Sequence, residues 1–179
     1  TKCTLITRDI GLLKEIDKTA ILPVVLAIKL KQGAILSVSV STMDEKISDM
    51  LEPGAAPSLH CLELVRQLKK DGFVVGVNAM PVLPYISDSE ESLEMIIASA
   101  KEYGADYILV GGLTLFGNEP ADSKTLFYKF LNRYESSLLP KYEQLYGSNY
   151  YAPFHYQDQL KARANKICSK YGIRNSILD

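Results

Sequence analysis

Three hydroxyls spaced two residues apart, Ser37, Ser39 and Ser41, are the first residues whose types and spacing suggest chemistry. They stand in SVSVST, where Val38 and Val40 take the intervening places. Successive side chains of a strand point to opposite faces, so this alternation predicts a β-strand with two unlike sides. One side is apolar and belongs in a core. The other offers short neutral groups that both donate and accept, suited to a ligand carboxylate, amine or ribose. A packing reading is equally open, because small serines also fill space where helices approach a sheet. Asn78, in GVNAM, poses the same choice, with Gly76 before it permitting close approach of a ligand or of backbone.

The other reactive side chains do not assemble into a signature. Cys3, Cys61 and Cys168 are scattered, without the close spacing of a zinc or iron–sulfur motif. Cys61 falls on or beside the apolar face of a helix, where a buried structural thiol is the simple reading. His60 and His155 are the only histidines, and His60 reads as mid-helix without an acidic partner at metal-ligand spacing. No GxSxG elbow prepares a serine nucleophile, and Gly111-Gly112 lacks the lysine and further glycines of a phosphate loop. Near the C-terminus, Lys161, Arg163, Lys166 and Lys170 line one face of a predicted helix opposite Leu160, Ala164, Ile167 and Tyr171. Such a face is either simply solvated or a phosphate contact.

The elements that must position these residues alternate. DIGLLKEIDK has helical spacing, with Asp9 as its cap, and PVVLAIKLKQG reads as a helix from Pro23 to a stop at Gly33. The serine strand comes next, then a short helix capped by Thr42 or Asp44. After the turn-rich EPGAAPS, Ser58 caps a helix with a Leu59, Leu62, Val65 and Leu68 stripe ending at Gly72. FVVGVNAM is the next strand and PVLPYISD a loop. A helix beginning at Asp88 or Ser89 ends at Gly104, and DYILVGGLTL is a further strand. KCTLIT reads as the end of an earlier one. Strand–helix alternation with short links requires parallel strands. Ligands of such sheets bind beyond the strands' C-terminal ends, where Ser39, Ser41, Asn78 and Gly111-Gly112 lie.

The bulk numbers fit a globular chain with its own core: 179 residues, 47% hydrophobic and 23% charged. The net charge of −1 gives no global sign of a nucleic-acid or acidic-membrane partner. From Asp122 onward, however, nine Lys/Arg face five Asp/Glu, and eight of the eleven tyrosines lie there in helical patterns. No apolar run reaches the length of a membrane span and no signal peptide is visible, so the expected location is cytoplasmic. Three unpaired cysteines agree with a reducing compartment.

Taken in order, TKCTLITRDIGLLKEI, SVSVSTMDEKISDMLEPGAAPS, GFVVGVNAMPVLPYISDSEE and LPKYEQLYG resemble the C-terminal part of radical S-adenosylmethionine proteins of the spore photoproduct lyase-like family. The resemblance implies an α/β fold, a parallel partial (β/α) TIM-type barrel over residues 1–120, with a helical C-terminal extension over 121–179. It implies a [4Fe–4S] cluster and S-adenosylmethionine at the strands' C-terminal ends, and a 5′-deoxyadenosyl radical that abstracts hydrogen from a substrate. Carried over by position, Lys2 matches a lysine at a strand end, Ser39 and Ser41 match polar residues facing the cofactor, and Asn78 lies near the adenine. Glu52 and the PVLP loop match motif positions. The family's CxxxCxxC motif is absent, and the DKTAILPVVLAIKLKQGA connection is longer than usual. The expectation is therefore the C-terminal part of a longer enzyme, inactive alone because it lacks the cluster cysteines. Relatives act on DNA lesions, which the basic terminal helix is compatible with. Two alternatives stand beside it: a non-catalytic binding or regulatory half-barrel without a cluster, and an unrelated (β/α) enzyme using the serine face for another ligand.

Overall fold

The three predicted strands form one sheet, and all of them run parallel. In this computed structural model, which describes residues 4–30 and 32–178, β1 (Ile35–Ser39), β2 (Val74–Val82) and β3 (Tyr107–Gly112) lie side by side in the order β1-β2-β3. Two helices, α1 (Ile10–Thr19) and α2 (Val24–Lys29), precede β1. Then α3 (Glu45–Leu51) and α4 (Ser58–Lys70) join β1 to β2, and α5 (Glu90–Glu102) joins β2 to β3. Three more come after the sheet: α6 (Ser123–Tyr134), α7 (Leu139–Tyr146) and α8 (Phe154–Tyr171). The architecture is thus mixed α/β, with helices around an open three-stranded parallel sheet.

Local chemistry accounts for most of the boundaries. The Asp44 carboxylate accepts hydrogen bonds from the backbone N–H of Lys46 and Ile47 and so caps α3, and the Ser89 hydroxyl does the same for α5 through Ser92 N–H. Gly72 and Gly104 take positive φ just past α4 and α5, as the end of a helix before a strand requires. The helical face of the sheet is sealed. Val38, Val75, Val77, Ala79 and Ile108 are fully buried there beneath Leu62, Val65 and Leu68 of α4 and Leu93 and Ile97 of α5. Asp106 ties these layers together, its carboxylate accepting from the Lys69 ammonium at 2.8 Å and from Val75 N–H at 2.7 Å.

Five expectations change. Thr4–Asp9, which takes in the end of the KCTLIT segment, is a 3-10 helix running straight into α1 rather than a strand end, because no breaker separates it from the helical spacing behind it. Asp9 makes no side-chain cap there. Ser58 does not cap α4 either; its hydroxyl instead donates to Thr42 C=O at 2.7 Å and pins the turn before the helix. Leu59 leaves the core stripe and is exposed. It precedes Leu68 by nine residues, which at ~100° per residue puts it on the opposite side of the helix. Finally, β2 continues through Pro81 to Val82, with a register shift against β3 between Ala79 and Val82, so the loop begins later than its proline suggests.

The chain beyond Asp122 shares the same core. Leu131, Tyr142, Tyr146 and Leu160 are buried with the strands, and α8 packs on α5 and β3. The stretch after α8 adds to the sheet: Ile108 N–H bonds Arg174 C=O at 2.8 Å, Val110 N–H bonds the Asn175 side chain, and Arg174 forms a parallel bridge with Tyr107. The outer edge of β3 is therefore occupied. Among the described residues, no helix is long and apolar enough to cross a membrane.

Candidate functional site

The register gathers the polar residues into rows. Ser37 of β1 stands beside Gly76 of β2, and Gly76 beside Tyr107 of β3; Ser39 stands beside Asn78, and Asn78 beside Leu109. These rows occupy the face opposite the valines. The first row is closed by a side chain that crosses the middle strand. The Tyr107 phenol reaches over Gly76 to the Ser37 hydroxyl, 2.6 Å away. A Cβ on residue 76 would stand 2.1 Å from the Tyr107 ring, so only glycine lets the ring lie there. Burial raises the Tyr107 phenol above its ordinary value, partly offset by the Ser37 hydrogen bond.

The second row is open. Asn78 Oδ1 is buried and has no hydrogen-bond partner among the described residues. Its backbone is fully used, with Asn78 C=O accepting from Val40 N–H at 3.0 Å. A buried amide oxygen left unpaired costs about 1–3 kcal/mol, so a group that supplies a donor there recovers that loss. Ser39, half-buried on the neighbouring strand, is the hydroxyl beside it. The structure thus brings Ser39 and Asn78 together in one row. Ser41 goes elsewhere: it lies past the end of β1 and lines a cavity of about 110 Å³ with Thr42, Asp44, Ser87, Ser92 and Leu93. Lys2 lies outside the described residues.

The loops that come after β2 and β3 are held by three buried tyrosines of the C-terminal helices. Tyr142 donates to Pro84 C=O at 2.6 Å, Tyr156 to the Asp88 carboxylate at 2.8 Å, and Tyr146 to Leu113 C=O at 2.9 Å. Burial is the main cause that drives all three phenols well above their ordinary range, and the Asp88 carboxylate adds to it at Tyr156. Asp88 also accepts from Tyr85 N–H, while Arg163 donates to Asp88 C=O. Tyr85 itself has φ of 63°, a left-handed conformation that a side chain rarely adopts, and the Asp88 contact helps to hold it. The sequence pattern missed this function of the tyrosines. Their concentration past Asp122 was the available signal, but one pattern cannot say which carbonyl each phenol reaches.

The basic face of α8 is mostly spent within the fold. Lys166 pairs with Glu90 at 2.8 Å, Lys170 with Glu94, and Arg163 with the Asp88 backbone. Pairing with Lys170 and Tyr171 holds the Glu94 carboxyl below its usual range. Cys61 and Cys168 are buried, and burial pushes the Cys168 thiol up to about 11. His60 is exposed beside Glu63 and Arg66 in a groove of α4. Among the described residues, no three of His, Cys, Asp and Glu converge as a metal site.

No family model matches the chain. The uncharacterized protein Rv2578c of Mycobacterium tuberculosis is 29% identical over 173 residues, 97% of this chain and 46% of that protein. The uncharacterized protein Mb2609c of Mycobacterium bovis matches with the same figures. The uncharacterized protein ORF301 of Acidianus two-tailed virus is 33% identical over 111 residues, 60% of this chain and 32% of that protein. The chain spans about half the length of the mycobacterial relatives it matches.

Proposed function

We propose that this chain is the C-terminal half of a partial (β/α) barrel in a radical S-adenosylmethionine protein resembling the spore photoproduct lyase-like family, and that its serine–asparagine face lines the S-adenosylmethionine site. The observation that carries the reading is the unpartnered, buried Asn78 Oδ1 beside Ser39 on the sheet face opposite the valines. Relatives about twice as long agree with a sheet whose second half lies outside this chain.

The residues fit one part of the implied cofactor pair and not the other. Ser39 and Asn78 offer a hydroxyl and an unpaired amide oxygen, which suit the amine and hydroxyl groups of a nucleoside-linked amino acid. The cluster has no such fit, since the described cysteines are buried in the core and no ligand set converges. In this reading the cluster ligands belong to the remainder of the protein. When bound, the cluster and S-adenosylmethionine together supply a carbon-centred radical for hydrogen abstraction. What this chain contributes is position: Ser39 and Asn78 orient the ligand, the Tyr107–Ser37 contact keeps the neighbouring row rigid, and the phenols of Tyr142, Tyr146 and Tyr156 fix the loops at the mouth.

The test uses the natural gene product that carries this chain, reconstituted without oxygen with iron and sulfide and given S-adenosylmethionine and a strong reductant. Release of 5′-deoxyadenosine is the expected result. A reconstituted protein that neither binds nor cleaves S-adenosylmethionine overturns the proposal. Binding without cleavage favours the non-catalytic half-barrel instead.

A further inference from the structure

Residues 21–30 stand away from the core, and the chain on either side of them meets at Ala20 and Gly33. The ends of this excursion meet so closely that a Cβ on Gly33 would stand 2.3 Å from Ala20 Cβ and 2.9 Å from Asp17 C=O. Inside it lies α2, six residues with hardly a polar group. Leu22, Leu26 and Leu30 are half-buried on its inner side. Outward, Ile21, Val24, Val25 and Ile28 are exposed to 97%, 77%, 71% and 81%. Val24, Val25 and Ile28 lie together on one side of α2, with Ile21 just ahead of its Pro23 cap, making the kind of apolar face that an amphipathic helix normally buries. A helix apolar on both sides is the mark of an element with something packed all round it.

The topology says on which side that something stands. The outer edge of β3 already bonds Arg174 and Asn175, so the sheet is not extended there. Further strands add only on the β1 side, and the excursion is the segment that leads into β1. Size points the same way. Four aliphatic side chains bury roughly 250–500 Å² together, from the transfer energies of single side chains. A free-standing partner needs about 800 Å² on each side. A stripe this small holds a segment that is already tethered, for which effective concentration replaces area.

We infer that α2 is a clasp: its Ile21–Val24–Val25–Ile28 stripe docks on an apolar helix of the barrel half that this chain does not span. The inference rests on the reading of the chain as one half of a longer barrel. It concerns assembly rather than chemistry, because the excursion closes at the start of β1, the end of the sheet opposite the Ser39–Asn78 row.

Hydrogen exchange of the α2 amides in the natural gene product, compared with the 179-residue chain alone, tests it with neither iron nor S-adenosylmethionine present. The expected result is slowing by about tenfold or more in the longer protein, as for amides that open only with a packed unit. As a second arm, Val25→Asp with Ile28→Asp lowers the thermal midpoint of the longer protein and leaves that of the chain unchanged. Equal exchange in the two proteins, or equal effects of the double variant, overturns the clasp. So does a natural product confined to these 179 residues. Protection of the chain that grows with its concentration assigns the stripe to a second copy, and protection by phosphatidylglycerol vesicles assigns it to lipid; either overturns it. Protection without cleavage of S-adenosylmethionine removes the radical chemistry and keeps the clasp, while cleavage without protection does the reverse.

Discussion

The two faces of the sheet are built from the same strands and obey different rules. On one, Val38, Val75, Val77 and Ile108 are fully buried under α4 and α5, with no polar atom to satisfy. On the other, Ser37, Ser39, Asn78 and Tyr107 carry polar groups, one pair closed by a hydrogen bond and one amide oxygen left unpaired. The first face is complete within this chain. The second holds a buried acceptor with no partner among the described residues, and that difference separates what is complete within the chain from what is not. Substitutions on the valine face are therefore expected to act on stability, and those in the Ser39–Asn78 row on binding, with the closed Ser37–Tyr107 row between the two.

The largest effect belongs to the sealed face. Leu62 is fully buried at the centre of the α4 stripe, so Leu62→Ala removes its contacts and leaves a cavity. The expected loss is about 2–5 kcal/mol in urea unfolding. A change near zero would contradict the sealed face, since an exposed leucine loses little.

Gly76→Ala comes next, and it acts across the polar face. The added methyl falls inside the Tyr107 ring, so the ring must swing away and the Ser37 contact must break. Overpacking of this kind costs about 1–3 kcal/mol. In Tyr107→Leu the added methyl no longer meets a phenol that has to reach Ser37, so Gly76→Ala is expected to cost less in that background. An undiminished cost would mean that the glycine is needed for some other reason.

A smaller effect separates the mouth from both faces. Tyr142→Phe removes the hydrogen bond to Pro84 C=O and is expected to cost about 1 kcal/mol near neutral pH. Its size changes with pH in a definite direction. The folded phenol is raised far above the ordinary value of about 10. Above that value the unfolded chain ionises and the folded one does not, so the unfolded state binds fewer protons and stability falls as pH rises. Tyr146 and Tyr156 are raised in the same direction and add to the loss. Phenylalanine has no such proton, so the deficit of Tyr142→Phe should narrow on going from pH 7 toward strongly alkaline solution. A deficit that stays constant would place the Tyr142 hydroxyl in contact with water.

The sequence made the sealed face legible and the mouth nearly opaque, for one physical reason. Alternation and helical spacing report which side of an element is apolar, and Val38, Leu62 and Val65 lie where those periods put them. Glycine and cap chemistry placed the ends of α3, α4 and α5 for the same local reasons. Contacts between distant residues leave no period. Nothing in the local pattern around Tyr107 says that its ring crosses Gly76 to Ser37, 70 residues earlier in the chain. Leu59 misled because one apolar residue in a first turn resembles the start of a stripe, and α2 misled because its length was read from Gly33, which instead closes the base of the excursion. Of the candidate ligand contacts, spacing alone grouped Ser39 with Ser41, whereas the end of β1 divides them.

The sharpest form of the contrast between the faces is a substitution expected to leave the fold nearly unchanged. Ser39 is half-buried on the polar face, and none of its neighbours in the row depends on its hydroxyl: Asn78 is bonded to β1 through backbone, by way of Val40. Ser39→Val therefore keeps the strand's shape and raises its β propensity, with a stability change within about 0.5 kcal/mol. Its effect should fall on the ligand. On the proposed reading, losing one hydroxyl hydrogen bond weakens S-adenosylmethionine binding by about 0.5–1.5 kcal/mol, roughly twofold to twelvefold in Kd. Titration calorimetry on the gene product and its Ser39→Val variant reads both quantities. An unchanged Kd with unchanged stability would return Ser39 to a space-filling role and leave Asn78 alone as the polar contact of its row. A large loss of stability would instead mean that the polar face is packed from within the chain, as the valine face is.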